Sequence, residues 1–261
     1  MEDNIKNSFE IYPNVRVYQN FLPDAKNLYE IMKRSEKESD GKYFLRKWEK
    51  WSVFGTYTQI KQDNPYESRE TGQIHDDEKY LSTSINEAYS TVIEDYKQRY
   101  NIVFPEESVL ATSSYSKYDP NFNPANNGLT MQYHTDFIIS EAEMPGPKFF
   151  LTCTMYINDD YEGGDIEFYI DDEFYSYKPK AGDILIFPSG EPYYHGVRTI
   201  KNGEKFFVRN FIQYYYNGSE NWLRNQKYYG AHRWAKMEID RVEKENKTHM
   251  KFAPRKQLGY M

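Results

Sequence analysis

The spacing of apolar residues predicts two helices in the first 105 residues. The first should begin after the segment 21–24, whose proline and aspartate suit a helix start. Its apolar residues then share one face: Leu28, Ile31 and Met32. A second helix is predicted from Asp76 or Asp77 to Tyr100, where apolar residues keep the helical period and the acidic start favours the helix dipole. Between the two helices, the aromatic residues of segment 40–74 indicate extended structure.

After Pro105 the pattern changes to the one typical of strands. Short segments rich in β-branched and aromatic residues alternate with Gly, Pro and Asn turns. The predicted strands are 109–118, 131–139, 148–158, 165–170, 173–177, 183–187, 193–200 and 205–216. About eight strands in this length is typical of a sandwich or a jelly-roll barrel. We therefore predict a mainly β core with flanking helices.

Polar residues return after the last predicted strand, and the segments 221–229 and 231–245 are predicted to be helical. No linker or internal repeat divides the chain, so a single domain over residues 1–261 is expected. Its predicted parts are an N-terminal helical support region (1–105), a β core (106–216) and a C-terminal helical extension (217–261). The extension is expected to cap the barrel, although a partner surface fits it equally well.

Composition and charge narrow the class of protein. Hydrophobic residues form 39% of the chain and aromatic residues 18%, which is enough for a sizeable core. The formal net charge of -7 disfavours a globally basic nucleic-acid binder. The one cysteine, Cys153, excludes an intramolecular disulfide framework and is expected to be a small buried hydrophobe. No signal-peptide pattern or membrane-length apolar run is present, so a cytoplasmic protein without membrane association is expected.

The candidates for chemistry begin with the histidines. The chain has five of them: His75, His134, His195, His232 and His249. His134 and Asp136 lie two apart in a predicted strand, so both side chains should point to one face. His195 follows a turn in another segment and is the natural third ligand. Two imidazoles and one carboxylate form the facial triad of non-haem iron(II) oxygenases.

A His-x-Asp triplet alone is weak evidence, because it arises by chance in many chains. A second triplet begins at His75, but its acidic residues suit a helix start instead. His134 taken alone could equally be structural. His232 and His249 lie in the polar C-terminal region, where solvent exposure is expected.

An ordered series of motifs surrounds the first triplet. Residues 151–169 contain a strand, an acidic turn, a glycine pair and a second strand, and 178–188 contain a turn into an apolar strand. His195 and the segment 203–209, Gly-Glu-Lys-Phe-Phe-Val-Arg, follow. Over about 115–215 the chain resembles the 2-oxoglutarate/iron(II)-dependent dioxygenase superfamily, and specifically its prolyl-4-hydroxylase-like branch. The combination is specific, although no single motif is.

The resemblance implies an α+β chain whose core is a double-stranded β-helix, jelly-roll or cupin-like, with helices at both ends. It also implies that His134, Asp136 and His195 bind Fe²⁺. A basic residue ten positions after the distal histidine, Lys205, would anchor the far carboxylate of 2-oxoglutarate. Arg209 should share the face of Lys205 and is the alternative anchor, with a bidentate geometry that lysine lacks.

Two tyrosines are implied to contact the co-substrate. Tyr156 lies on the strand before the glycine pair, and Tyr118 lies upstream of the first ligand, where the loop 121–130 is longer than the family pattern. Plainer interpretations exist for these positions. Tyr156 could be an ordinary core ring, and Lys205 could be an exposed turn lysine.

The implied activity is a hydroxylation that uses Fe²⁺, 2-oxoglutarate and O₂, and it is compatible with ascorbate. The substrate would be a peptidyl proline or a related group, or else a free amino acid or another small metabolite. A non-catalytic cupin-like binding module would also fit the barrel, and so would a metalloenzyme that does not use 2-oxoglutarate. The loops 121–130 and 139–147 could cover the site or merely connect strands. The acidic charge fits a nucleic-acid substrate poorly, and the sequence does not indicate an oligomeric state.

Overall fold

The structure is a computed structural model of the chain. It describes residues 5, 7–22, 24–37, 47–52, 56–61, 76–104, 109–110, 113–118, 120, 127–136 and 148–214. The predicted C-terminal helices and most of the two candidate covering loops lie outside the described residues. Three histidines lie outside them as well: His75, His232 and His249.

Two helices pack against the β core. Helix α1 spans Ala25–Lys37 and helix α2 spans Asp76–Arg99, close to the predicted bounds. The predicted apolar face of α1 is buried. From α2, the Tyr89 hydroxyl donates a hydrogen bond of 2.6 Å to the Val208 carbonyl of the underlying sheet. Neither helix in the described part of the chain combines the length and apolarity of a membrane span.

Antiparallel sheets form the rest of the described chain. The strands are β1 (Ser8–Tyr12), β2 (Val15–Tyr18), β3 (Lys47–Ser52), β4 (Thr56–Lys61), β5 (Val109–Leu110), β6 (Ser114–Tyr118), β7 (Leu129–His134), β8 (Lys148–Tyr156), β9 (Glu162–Gly163), β10 (Ile166–Ile170), β11 (Glu173–Tyr177), β12 (Ile184–Pro188), β13 (Tyr194–Arg198), β14 (Ile200–Asn202) and β15 (Lys205–Tyr214). A nine-stranded sheet has the order β1-β2-β12-β8-β15-β6-β4-β3, with β5 also paired to β15. A four-stranded sheet has the order β11-β10-β13-β7, and β14 pairs with β9.

The two larger sheets face each other and enclose an apolar interior. Along β12, Leu185 and Phe187 point into this interior, whereas Ile184 and Ile186 point towards the helices, as strand alternation requires. Across the interior, the ring of Phe187 lies 4.9 Å from that of Phe168 on β10. The predicted double-stranded β-helix with N-terminal helices is therefore confirmed.

The region before residue 105 supplies strands as well as helices. The hairpin β3–β4 agrees with the extended structure predicted for 40–74. Strands β1 and β2 have no counterpart among the predicted strands, although β2 pairs with β12 at the side of the large sheet. They are only five and four residues long. The turn between them places Asn14 at a φ of 67°. Strands this short do not establish a recognisable period in the sequence, so the hairpin was not predicted.

Candidate metal centre

Three potential metal ligands converge between the two sheets. His134 ends β7, Asp136 lies in the bend that follows, and His195 lies on β13. Their ligand atoms all lie within 4.8 Å of one another, and no other such group occurs among the described residues. Asp136 Oδ1 is 3.6 Å from His134 Nε2, and Asp136 Oδ2 is 3.5 Å from His195 Nε2. This donor set fits one iron(II) ion, with coordination positions left open.

Strand register brings the two histidines together. His195 is the direct partner of His134 in the β13–β7 pairing, and their rings lie 4.5 Å apart. Strand β7 ends at His134, earlier than the predicted 131–139. Strand alternation therefore does not bring Asp136 to the site. A bend turns its carboxylate towards Thr152 on the opposite sheet, which donates a hydrogen bond of 2.7 Å.

Backbone carbonyls set the orientation of both imidazoles. His134 Nδ1 lies 2.8 Å from the Gln132 carbonyl, and His195 Nδ1 lies 3.1 Å from the Tyr193 carbonyl. Because a carbonyl can only accept, each Nδ1 carries the proton and donates it. Each Nε2 then presents a lone pair to the centre, as metal-bound histidines require.

The charge states also suit a cation. Burial, and next the neighbouring His134, lowers the pKa of His195 to about 4 and keeps it neutral near pH 7. Burial alone would raise the pKa of Asp136, but His195 and His134 outweigh it and hold this pKa below its ordinary value. The site therefore offers an ionised carboxylate beside a neutral His195 imidazole.

A buried hydroxyl pair orients the carboxylate. Thr152 Oγ1 donates to Asp136 Oδ2, and Ser189 Oγ lies 2.9 Å from Thr152 Oγ1. Since the Thr152 proton is used by Asp136, Ser189 is the donor in the second bond. Sequence reasoning missed this hydroxyl pair. The alternation of β8 could have indicated Thr152, because it puts Thr152, Thr154 and Tyr156 on the face of the cavity.

Replacing Thr152 by Val is expected to weaken metal binding by roughly 10–100-fold, the usual cost of losing a partner of a metal ligand. The substitution keeps the side-chain shape and removes the hydrogen bond to Asp136. Calorimetric titration with Mn²⁺ measures the effect. Thr199→Val is the matched control, because the buried Thr199 hydroxyl has no hydrogen-bond partner in the described part of the chain. Equal Mn²⁺ affinity in both variants would contradict the assignment.

A cavity that is partly open to solvent extends from His134 and His195 between the sheets. Most of its polar lining comes from alternate positions of β6, β8 and β15. These residues are Tyr118, Thr152, Thr154, Tyr156, Lys205 and Arg209. The cavity thus brings His134, His195 and both predicted anchors into one space.

Lys205 is buried within this cavity. Only 1% of the residue is exposed, so it is not a surface turn lysine. Its ammonium donates a hydrogen bond of 2.5 Å to the Gly164 carbonyl and lies 4.7 Å from the centre of the Tyr156 ring. Burial, and next the charge of Lys178, lowers the pKa of Lys205 to about 7. A lysine in this state fits a carboxylate, which would supply the missing negative charge.

The glycine pair closes the cavity around Lys205. Gly163 and Gly164 have φ values of 78° and 72°, a conformation that suits glycine. A Cβ at Gly164 would lie 2.3 Å from Ile200 Cδ1 and 3.3 Å from Lys205 Cδ. Residue 164 must therefore be small for the lysine stem to pass.

The remaining predicted residues also reach the cavity. Tyr156 is buried, and the ring of Tyr118 packs 4.7 Å from that of Phe207. Arg209 lies four residues along β15 from Lys205, about 13 Å on a regular strand. Its charge acts on Asp136 and His195, which indicates that it lies towards the metal ligands.

Comparison with known proteins agrees with this geometry. The model of the 2OG-Fe(II) oxygenase superfamily matches residues 116–216, almost the whole segment predicted to resemble that superfamily. A PKHD-type hydroxylase of Prochlorococcus marinus strain NATL1A is 32% identical over 85 residues, which is 32% of this chain and 38% of that protein. The chain thus spans well under half the length of this curated relative.

The fold is also similar to solved structures. A Pseudomonas putida prolyl-4-hydroxylase matches with a TM-score of 0.52 at 12% identity, over 77% of this chain and 92% of that one. A Trichoplax adhaerens prolyl hydroxylase, solved with a hypoxia-inducible-factor peptide, matches with a TM-score of 0.51 at 11% identity, over 76% and 83%. Residues 116–216 thus match the 2-oxoglutarate/iron(II)-dependent oxygenase superfamily, and the fold over about three quarters of the chain is similar to that of prolyl hydroxylases.

Proposed function

We propose that this protein is an Fe²⁺- and 2-oxoglutarate-dependent dioxygenase that hydroxylates a peptidyl proline or a related group. One observation carries the proposal. Two imidazoles and a carboxylate converge at one end of a cavity whose interior also holds a buried lysine. The metal ligands suit iron(II), and the lysine suits the far carboxylate of a dicarboxylic acid. A cupin-like protein that only binds a metal would have no need of the buried cation.

His134, Asp136 and His195 would hold the iron, with both Nε2 atoms and the carboxylate already directed at one point. Lys205 would pair with the far carboxylate of 2-oxoglutarate, beside Tyr156. When bound, iron(II) with 2-oxoglutarate and O₂ supplies the oxidising power, and succinate and CO₂ are released as the substrate is hydroxylated. The protein contributes orientation of the reactants and exclusion of water.

Lys205 is the better candidate than Arg209 for the far carboxylate. Its ammonium is nearly inaccessible to solvent, and one of its three N–H groups is used by Gly164. A carboxylate there would form charge-assisted bonds in a poorly solvated environment. Arg209 is partly exposed and lies towards the metal ligands, where it would contact the near end of the co-substrate or the substrate.

The substrate proposal rests on the relatives and on the apolar part of the cavity lining. The Trichoplax relative was solved with a peptide, and the other similar proteins carry the names prolyl-4-hydroxylase and PKHD-type hydroxylase. Tyr118 and Met131 line the cavity and offer apolar contact to a proline ring. A free amino acid or another small metabolite would enter by the same opening. Oxygen incorporation into one class of substrate and not the other separates these outcomes.

The test is succinate formation from 2-oxoglutarate by the purified protein with Fe²⁺, ascorbate and O₂. Proline-rich peptides, L-proline and other free amino acids are compared, with mass spectrometry for one added oxygen atom in the substrate. The proposal predicts that a proline-containing peptide accelerates succinate release and gains oxygen at proline. Oxygen gain only in a free amino acid would replace the proposed substrate. Failure to bind 2-oxoglutarate in the presence of Mn²⁺ would contradict the proposed activity itself.

A further inference from the structure

The strand that carries His134 is irregular. β7 lies at the edge of the four-stranded sheet, and its six residues face only four residues of β13. The register is interrupted between the pairs at His134 and Met131, and again between those at Met131 and Leu129. Such bulges redirect side chains, and they also disrupt the ladder of backbone hydrogen bonds locally. An edge strand with two interruptions therefore needs other contacts to fix its position.

A group of three side chains, which we call the clasp, lies on the outer face of this sheet. It consists of Tyr133 on β7, Glu167 on β10 and Arg198 on β13. The Tyr133 hydroxyl donates a hydrogen bond to Glu167 Oε1. Arg198 donates to both carboxylate oxygens, with Nη2 at 2.5 Å from Oε1 and Nε at 3.1 Å from Oε2. The clasp thus links three strands through one carboxylate, and the Glu167 side chain is only 8% exposed.

A glycine allows the clasp to form. Gly196 of β13 is the direct partner of Glu167 on β10 and lies between it and β7. A Cβ at Gly196 would lie 2.9 Å from the Met131 carbonyl oxygen and 3.3 Å from Tyr133 Cδ1. The Tyr133 ring therefore crosses β13 at the one position there without a side chain. Its hydroxyl reaches the second strand away, so the edge strand is tied to an interior strand of the sheet.

We infer that the clasp positions His134 for metal binding. Tyr133 lies between the ligand and Gln132, whose carbonyl orients the His134 ring. A shift of the backbone at Tyr133 would therefore move both the imidazole and the group that fixes its tautomer. Charge-assisted hydrogen bonds to Glu167 then hold β7 in place where its ladder of backbone hydrogen bonds to β13 is interrupted. The inference rests on the proposed metal binding and adds three positioning residues, none of which reaches the cavity.

The test measures Co²⁺ binding and the visible absorption of bound Co²⁺ in full-length Tyr133→Phe. This change removes only the hydroxyl, and about tenfold weaker Co²⁺ binding is expected, together with an altered spectrum. The matched control is Tyr169→Phe on the same sheet. It removes a tyrosine hydroxyl that donates to the Asp172 carboxylate at 2.7 Å, away from the ligands. Thermal unfolding of both variants separates a loss of stability from a loss of ligand position.

A second variant tests the same idea with less disturbance. Glu167→Gln keeps the size and hydrogen-bonding capacity of the side chain but removes its charge, and a several-fold loss of Co²⁺ affinity is expected. Weaker Co²⁺ binding in both clasp variants, with the control unchanged, would support the inference. Unchanged affinity and spectrum in both would overturn it, whatever their melting temperatures. If the unmodified protein itself failed to bind Co²⁺, the proposed metal site would be wrong, and the clasp inference, which depends on it, would be wrong as well.

Discussion

Replacing Asp136 by Ala is expected to abolish succinate formation from 2-oxoglutarate. The change removes the one anionic member of the proposed ligand set and leaves two imidazoles on neighbouring strands. Metal affinity should fall by more than the roughly 10–100-fold that follows loss of a partner of a ligand. Mn²⁺ calorimetry and a succinate assay at saturating Fe²⁺ measure the two effects. His134→Ala should give the same result, because its Nε2 is directed at the same point.

The control for this experiment is Glu173→Ala, which removes an exposed carboxylate on the outer strand β11. Circular dichroism and gel filtration establish that both variants remain folded. Wild-type turnover in Asp136→Ala and in His134→Ala would show that the convergence of these side chains has another purpose. Normal metal content with no turnover would instead restrict the role of Asp136 to a later step than metal binding.

Replacing Lys205 by Met is expected to weaken 2-oxoglutarate binding by about 100-fold, since a hydrogen bond to a charged group contributes about 1.5–3 kcal/mol. Metal affinity should stay near that of the unmodified protein, because Lys205 does not contact the ligands in the structure. The same variant should melt at a higher temperature, since it removes a buried ammonium group. Calorimetry with Mn²⁺-loaded protein measures binding, and thermal unfolding measures stability.

The pH dependence of 2-oxoglutarate binding provides a second measurement on Lys205. Burial disfavours the charged form and lowers the pKa of Lys205 to about 7. Above pH 7 Lys205 loses the proton that a bound carboxylate requires, so affinity for 2-oxoglutarate should fall by up to tenfold per pH unit and binding should take up a proton. Below pH 7 affinity should level off. The pKa also lies below that of an unfolded lysine, so this residue destabilises the fold at low pH and does so less as pH rises towards 10.

Two matched variants make the result interpretable. Lys201→Met removes an exposed lysine from the neighbouring strand β14 and should change neither affinity nor its pH dependence. Arg209→Met tests the alternative anchor. If Arg209→Met weakened 2-oxoglutarate binding and Lys205→Met did not, Arg209 would be the residue that binds the far carboxylate.

Periodicity and residue types predicted much of the fold. The alternation after Pro105 gave the strands of the barrel, and the helical period gave α1 and α2. Both patterns agree with the structure because each strand or helix buries one face, which requires apolar residues at a regular spacing. The hairpin β1–β2 escaped prediction because its strands are too short to establish a period.

The convergence of His134, Asp136 and His195 was predictable from the sequence, because the chemistry of these side chains marks them as a candidate metal-binding set. The side chains that orient them were not predicted. The alternation of β8 could place Thr152 on the face of the cavity. Its hydrogen bond to Asp136, like the proposed role of Glu167, depends on contacts between strands that residue types do not show. The bulges of β7 also cannot be read from residue types, although they determine where the His134 side chain points.

Each imidazole takes its orientation from the carbonyl two residues before it in the same segment. The tautomer of each histidine is thus set locally, and no side chain of the cavity wall takes part in it. Substitutions at wall positions such as Met131 or Val197 can reshape the cavity without rotating either ring. A barrel built in this way can change the shape of its cavity by substitution while the two imidazoles keep their orientation.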